Sequence, residues 1–120
     1  MLVVKENLIQ IKTFAFAKSI IILYKDLKSK NEFTVSRQLL RSGTSIGANV
    51  EEAIAAASKK DFTNKMNIAL KEARETKYWL RLFEETELVK ANFSDLKNEA
   101  DSIVNVLTKI VKTSRENALT

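Results

Sequence analysis

Between Phe62 and Phe83, the residues Phe62, Met66, Ala69, Ala73, Thr76, Leu80 and Phe83 fall alternately four and three positions apart. That spacing holds one stripe on one side of a helix and marks helices packed side by side. A second run, Leu39, Gly43, Ile46, Val50, Ala53 and Ala57, repeats it. Each stripe has to be buried against another helix, so these runs predict an all-α bundle.

The chain has no proline, and its glycines are Gly43 and Gly47, so helix ends have to be read from caps and lost periodicity. The first helix is expected over about 4–28, closed by the polar stretch Lys28-Ser29-Lys30-Asn31-Glu32. The second begins near Thr34 and runs to about Ala57. Ser58-Lys59-Lys60-Asp61 has the form of a capping box and opens a third helix over 59–86. The pattern fails at Leu88-Val89-Lys90-Ala91. Asn92 then caps a last helix over 93–115, with Asp95 three residues on and a stripe of Leu96, Ala100, Ile103, Leu107 and Ile110. Four helices of similar length with short connections predict an antiparallel up-down-up-down four-helix bundle. A chain of 120 residues makes one domain, 1–120. A glycine inside a helix costs about 1 kcal/mol relative to alanine, so Gly43 and Gly47 predict a close approach by another backbone. Ser42, Ser45 and Asn49 flank them, and the Asn49 amide needs partners if buried.

Composition excludes several chemistries. With no cysteine and no histidine, neither the usual zinc site nor a nucleophile paired with histidine can be built. The fifteen Asp and Glu form no focused cluster, and no P-loop or dinucleotide fingerprint surrounds the two glycines. No catalytic residue, cofactor or metal is expected. The longest uncharged run, Ser42 to Val50, is too short and too polar to cross a bilayer. The start Met-Leu-Val-Val-Lys-Glu-Asn lacks the features of a secretory signal, so a cytoplasmic location is expected and Asn92-Phe93-Ser94 is read as a chance glycosylation match.

Two surfaces exceed what a bundle needs. The first helix is apolar almost all round, and a single core can bury only one stripe, so a second subunit is expected against it, with Phe16 and Ile22 as candidate contacts. On the third helix Ile68, Trp79 and Leu82 form an apolar flank beside the core seam. They are candidate interface residues too, the alternative for Trp79 being that it covers the edge of its own bundle. Opposite that seam, Lys60, Asn64, Asn67, Lys71, Arg74, Tyr78 and Arg81 make a basic stripe with amide and aromatic residues interleaved. Such a stripe can track a phosphate backbone, with Tyr78 offering a face to a base. The alternative is a solvated face balanced by Lys71 with Glu75 and Arg81 with Glu85. Arg37 and Arg41 add two cations one turn apart on the second helix. The net charge of +5 multiplies in a symmetric assembly and favours polyanionic partners.

The block Arg41-Ser42-Gly43-Thr44-Ser45-Ile46-Gly47-Ala48-Asn49-Val50-Glu51-Glu52-Ala53 is distinctive, above all for Ser45, Ile46, Asn49, Val50 and Glu52. With Ser58-Lys59-Lys60-Asp61-Phe62 and Lys71-Glu72-Ala73-Arg74-Glu75-Thr76-Lys77-Tyr78-Trp79-Leu80, it resembles the four-helix-bundle proteins associated with intervening sequences in 23S ribosomal RNA. The resemblance implies a non-enzymatic, basic subunit of a ring-like homopentamer. A related branch, the accessory variability determinant of diversity-generating retroelements, implies by analogy a nucleic-acid-binding partner of a reverse transcriptase, with Arg41, Lys71, Arg74 and Arg81 as candidate phosphate contacts. Two functions are therefore expected as rivals. One is an oligomer that binds RNA or DNA through backbone electrostatics. The other is a scaffold or adaptor that recognises a protein such as a reverse transcriptase.

Overall fold

In the computed structural model, the backbone is described over residues 4–118 and side chains over residues 8–117. Four helices follow one another: α1 (Val4–Ser29), α2 (Thr34–Ile54), α3 (Lys59–Thr86) and α4 (Ser94–Ala118). No strand occurs among the described residues. Each helix packs on its neighbours in sequence, and α4 closes the square on α1, whereas α1 and α3 lie diagonally apart, as do α2 and α4. Cross-helix contacts run in opposite directions along each pair: Gln10 meets Glu51, Lys65 meets Glu52 while Arg41 meets Glu72, and Lys97 meets Glu84 while Thr63 meets Ser114. Successive helices are thus antiparallel. The 51 × 22 × 22 Å envelope is two helices wide in each short direction.

The stripes read from the sequence supply the core. Leu39, Ile46, Val50 and Ala53 of α2, Met66, Ala69, Ala73, Leu80 and Phe83 of α3, and Ala100, Ile103, Leu107 and Ile110 of α4 are buried together with Ile9, Phe16, Ile20 and Leu27 of α1. Gly43 and Gly47 lie where α2 meets α1. A methyl on Gly43 would fall 2.8 Å from Ile20 Cγ1, and one on Gly47 would fall 3.3 Å from the Thr13 carbonyl oxygen. The expected backbone approach is therefore at Gly47, while Gly43 makes room for a side chain. Across the other side of α2, the buried hydroxyls of Ser42 and Thr76 are 2.9 Å apart. The Asn49 amide donates to the Ser45 carbonyl at 2.8 Å.

Two helix ends depart from expectation. α2 stops at Ile54 rather than Ala57, because Ala53 is its last core anchor. Ala57 is exposed, and the Ala56 N–H turns back to the Ala53 carbonyl in a tightened last turn. At its other end α2 begins at Thr34 as expected, with Phe33 at the cap position and the carboxylate of the preceding Glu32 accepting from the Val35 and Ser36 N–H groups at 3.0 and 2.7 Å. Partial burial works to raise its pKa, but these backbone bonds prevail and hold the carboxyl below its ordinary value. α4 continues past Arg115 to Ala118. Asn92 does accept from a backbone N–H, that of Ser94, and Phe93 beside it is buried and stacks on Phe83 at 5.5 Å. The Ser58 hydroxyl accepts from the Asp61 N–H as the capping box requires.

Candidate functional site

α1 presents its surplus apolar residues to solvent. A rotation of about 100° per residue puts Ile9, Phe16, Ile20 and Leu27 on the core side, Ile11, Phe14 and Ile22 on the opposite side, and Leu8 and Ile21, also exposed, on its two flanks. Ile11 and Ile22 are each 69% exposed and Phe14 is 62% exposed, with the Lys18 ammonium 5.2 Å from the Phe14 ring centre. This corrects one interface candidate. Phe16, 2% exposed, belongs to the core because it lies on the same side of the helix as Ile9 and Ile20. Ile22 keeps its candidacy, and Leu8, Ile11 and Phe14, not singled out before, join it.

The flank of α3 that carries Ile68, Trp79 and Leu82 faces toward α2. Ile68 is exposed and Leu82 half-buried. Trp79 is half-buried against the core, its indole N–H donating to Glu75 at 3.0 Å. Arg41 of α2 reaches the same Glu75 and also Glu72. Trp79 therefore covers an edge of its own bundle, with its polar atom satisfied inside the chain. Tyr78 sets its ring edge-on to Trp79 and is exposed.

The basic stripe of α3 is exposed as expected at Lys60, Asn64, Lys71, Arg74, Tyr78 and Arg81, with Asn67 half-buried. Its charges are not equally free. Arg81 is held by Glu85 at 2.6 Å, a hydrogen bond that raises its pKa. Arg41 is held by Glu72 and Glu75. The expected Lys71–Glu75 pair does not form, since Glu75 is engaged by Arg41 and Trp79. Among the described residues Arg37, Lys60, Lys71 and Arg74 hold no ion pair.

Lys71 and Arg74 stand on one wall of a groove between α3 and α4 with a volume of about 540 Å³. Its other wall carries Lys112 and Arg115 of α4, which sequence reading missed. They sit three apart in the last turns of α4, matching Lys71 and Arg74, but only the antiparallel pairing of α3 with α4 places the two pairs opposite each other. Among the described residues no group of three or more carboxylates gathers to hold a metal ion, and no helix is long and apolar enough to cross a membrane.

A bundle with an apolar outer helix face and a basic opposite face defines a class, the helical-bundle protein with separate apolar and cationic surfaces. Comparison assigns the family. Residues 5–109 match the model of the 23S rRNA-intervening sequence protein, and the chain belongs to that family. A crystal structure of a protein of unknown function from the S23 ribosomal protein family of Bacteroides thetaiotaomicron is similar at 47% identity. It has a TM-score of 0.86, and the match covers 90% of this chain and 98% of that one. No curated protein matches the chain.

Proposed function

We propose that this chain is a non-enzymatic subunit of a cytoplasmic homo-oligomer, a homopentamer, that binds RNA or DNA through phosphate contacts with little sequence readout. The observation that carries this reading is the diagonal placement of α1 and α3. A subunit contact through Leu8, Ile11, Phe14 and Ile22 leaves the α3 stripe on the far side of the bundle, so assembly and nucleic-acid binding do not compete for one surface. Unpaired Lys60, Lys71 and Arg74 of α3, together with unpaired Arg37 of α2, supply the cationic surface, and Tyr78 an exposed ring. Arg41 and Arg81 contribute less because carboxylates already hold them. The five-fold number follows the family resemblance.

Light scattering of the purified chain, with and without a generic RNA at about 50 and about 300 mM salt, tests both parts, because phosphate-driven binding weakens steeply with salt. The expected result is five times the chain mass, with RNA gained only at the lower salt. Ile11→Ser with Ile22→Ser should yield monomers, and Lys71→Glu with Arg74→Glu should leave the oligomer intact but abolish RNA uptake. An oligomer that ignores RNA at both salts would favour the rival reading, an adaptor for a protein such as a reverse transcriptase.

A further inference from the structure

Toward the C-terminal end of α3 the α3–α4 seam is closed by opposite charges. Lys77 bridges to Asp101 at 2.7 Å and Lys97 to Glu84 at 2.6 Å. Toward the other end the pattern inverts. Lys71 and Arg74 face Lys112 and Arg115 across the groove, with Glu116 the one carboxylate in its lining. None of the four cations holds an ion pair or hydrogen bond among the described residues, whereas Lys12, Lys30, Arg41, Lys65, Lys77, Arg81 and Lys97 each do. Like charges gathered on two walls repel, and an anion placed between them removes that repulsion. Two Arg forks and two Lys point charges are the donor set that phosphates take.

The floor narrows the ligand. Leu70 and Val111 are both buried to within a few per cent and form an apolar base between the charged walls, with Asn67 and Thr108 beside them. A simple inorganic anion has no use for that floor, but the face of a nucleobase does. The furrow above that floor, about 540 Å³, lies where the two helix surfaces curve apart, and a single strand can lie along it. A duplex carries its phosphates on the outside of a wide rod and could touch only the rim.

We infer that this α3–α4 groove is a single-strand nucleic-acid site, with adjacent phosphates held by Lys71, Arg74, Lys112 and Arg115 and a base lying on Leu70 and Val111. The inference rests on the nucleic-acid reading proposed above and adds to it the groove, the α4 residues and the preference for single strands.

The test is fluorescence anisotropy of a labelled oligonucleotide of about ten nucleotides, within the length that small single-strand modules cover. The full chain is compared with Lys71→Gln/Arg74→Gln, with Lys112→Gln/Arg115→Gln, and with a control of equal charge loss at the opposite end of the bundle, Lys28→Gln/Lys90→Gln. Circular dichroism melts verify that each variant folds. Four phosphate contacts to a single strand predict about a fifty-fold loss of affinity between about 50 and 200 mM salt. Either groove variant, left with two contacts, should bind more weakly and lose only about seven-fold over that range. The control should titrate as the unaltered chain does.

Groove variants indistinguishable from the control would overturn the groove while leaving nucleic-acid binding itself standing. Equal affinity for a duplex, or for inorganic polyphosphate of matched charge, would overturn the single-strand assignment. An unaltered chain that binds none of these probes at the lower salt would overturn both the groove and the reading it rests on.

Discussion

Gly43→Ala measures how tightly α1 and α2 are seated, and hence how firmly the outer face of α1 is oriented. In a helix the change should stabilise by about 1 kcal/mol through propensity alone. The new methyl, however, would lie 2.8 and 2.9 Å from Ile20 Cγ1 and Cγ2, and 3.2 Å from Cδ1. Both Cγ atoms hang on the Cβ of a β-branched residue whose χ1 is nearly fixed in a helix, and Ile20 is fully buried. No easy rotation relieves the clash, so overpacking costs about 1–3 kcal/mol and outweighs the gain. Gly43→Ala should therefore destabilise by roughly 1 kcal/mol. Ile20→Ala alone should cost about 2–5 kcal/mol through the cavity it leaves. In the double variant the clash is absent and the propensity gain survives, so it should be more stable than Ile20→Ala by about 1 kcal/mol. That corresponds to a coupling near 2 kcal/mol, well above the error of additivity for independent sites. Urea unfolding followed by circular dichroism, at one protein concentration so that any assembly acts alike on each variant, gives the three differences. If Gly43→Ala proves stabilising by itself and additive with Ile20→Ala, the close seating of α1 on α2 is wrong.

Further outcomes follow from the caps and from the arginines. Ser58→Ala removes the acceptor for the Asp61 N–H and should cost about 1 kcal/mol in the same urea assay. Glu32 has its pKa lowered from 4.5 in the folded chain, so its contribution is complete above that value and fades as pH falls through the lowered one. The stability difference between the unaltered chain and Glu32→Gln, measured by urea melts from neutral to acidic pH, should accordingly shrink toward zero in acid and not grow. Arg41→Gln breaks contacts to Glu72 and Glu75 that are largely exposed, so it should cost under about 1 kcal/mol. Oligonucleotide anisotropy should also find that variant less impaired than Lys71→Gln/Arg74→Gln.

Much of this architecture was legible in the sequence because it is local. Spacings of four and three name the buried stripe of α2, α3 and α4 without any knowledge of partners, and Ser58 caps α3 through residues within one turn of it. The same locality explains the errors. Ala57 continues the α2 spacing, but nothing remains to pack against it, and the helix ends at Ile54. α1 is apolar on every side, so its sequence contains no stripe to choose between core and surface. Only packing on α2 and α4 decided that Phe16 goes inward and that Ile11, Phe14 and Ile22 go outward.

The charged surface divides in the same way. The sequence alone determined that α3 carries a basic stripe, since its members recur on one side of one helix. Which of those charges are free depended on residues 31 and 34 positions away, because Arg41 captures Glu72 and Glu75 and so leaves Lys71 unpaired. Lys112 and Arg115 looked like ordinary cations near a helix end, where they complement the helix dipole. What turned them into one wall of a cationic groove was the antiparallel register of α4 on α3, fixed by burial of Leu107, Ile110 and Val111 against the α3 stripe. Periodicity along a chain specifies which residues share a side of a helix. The residues that share a groove are specified by hydrophobic packing between helices, a sum over the whole core that no local pattern contains.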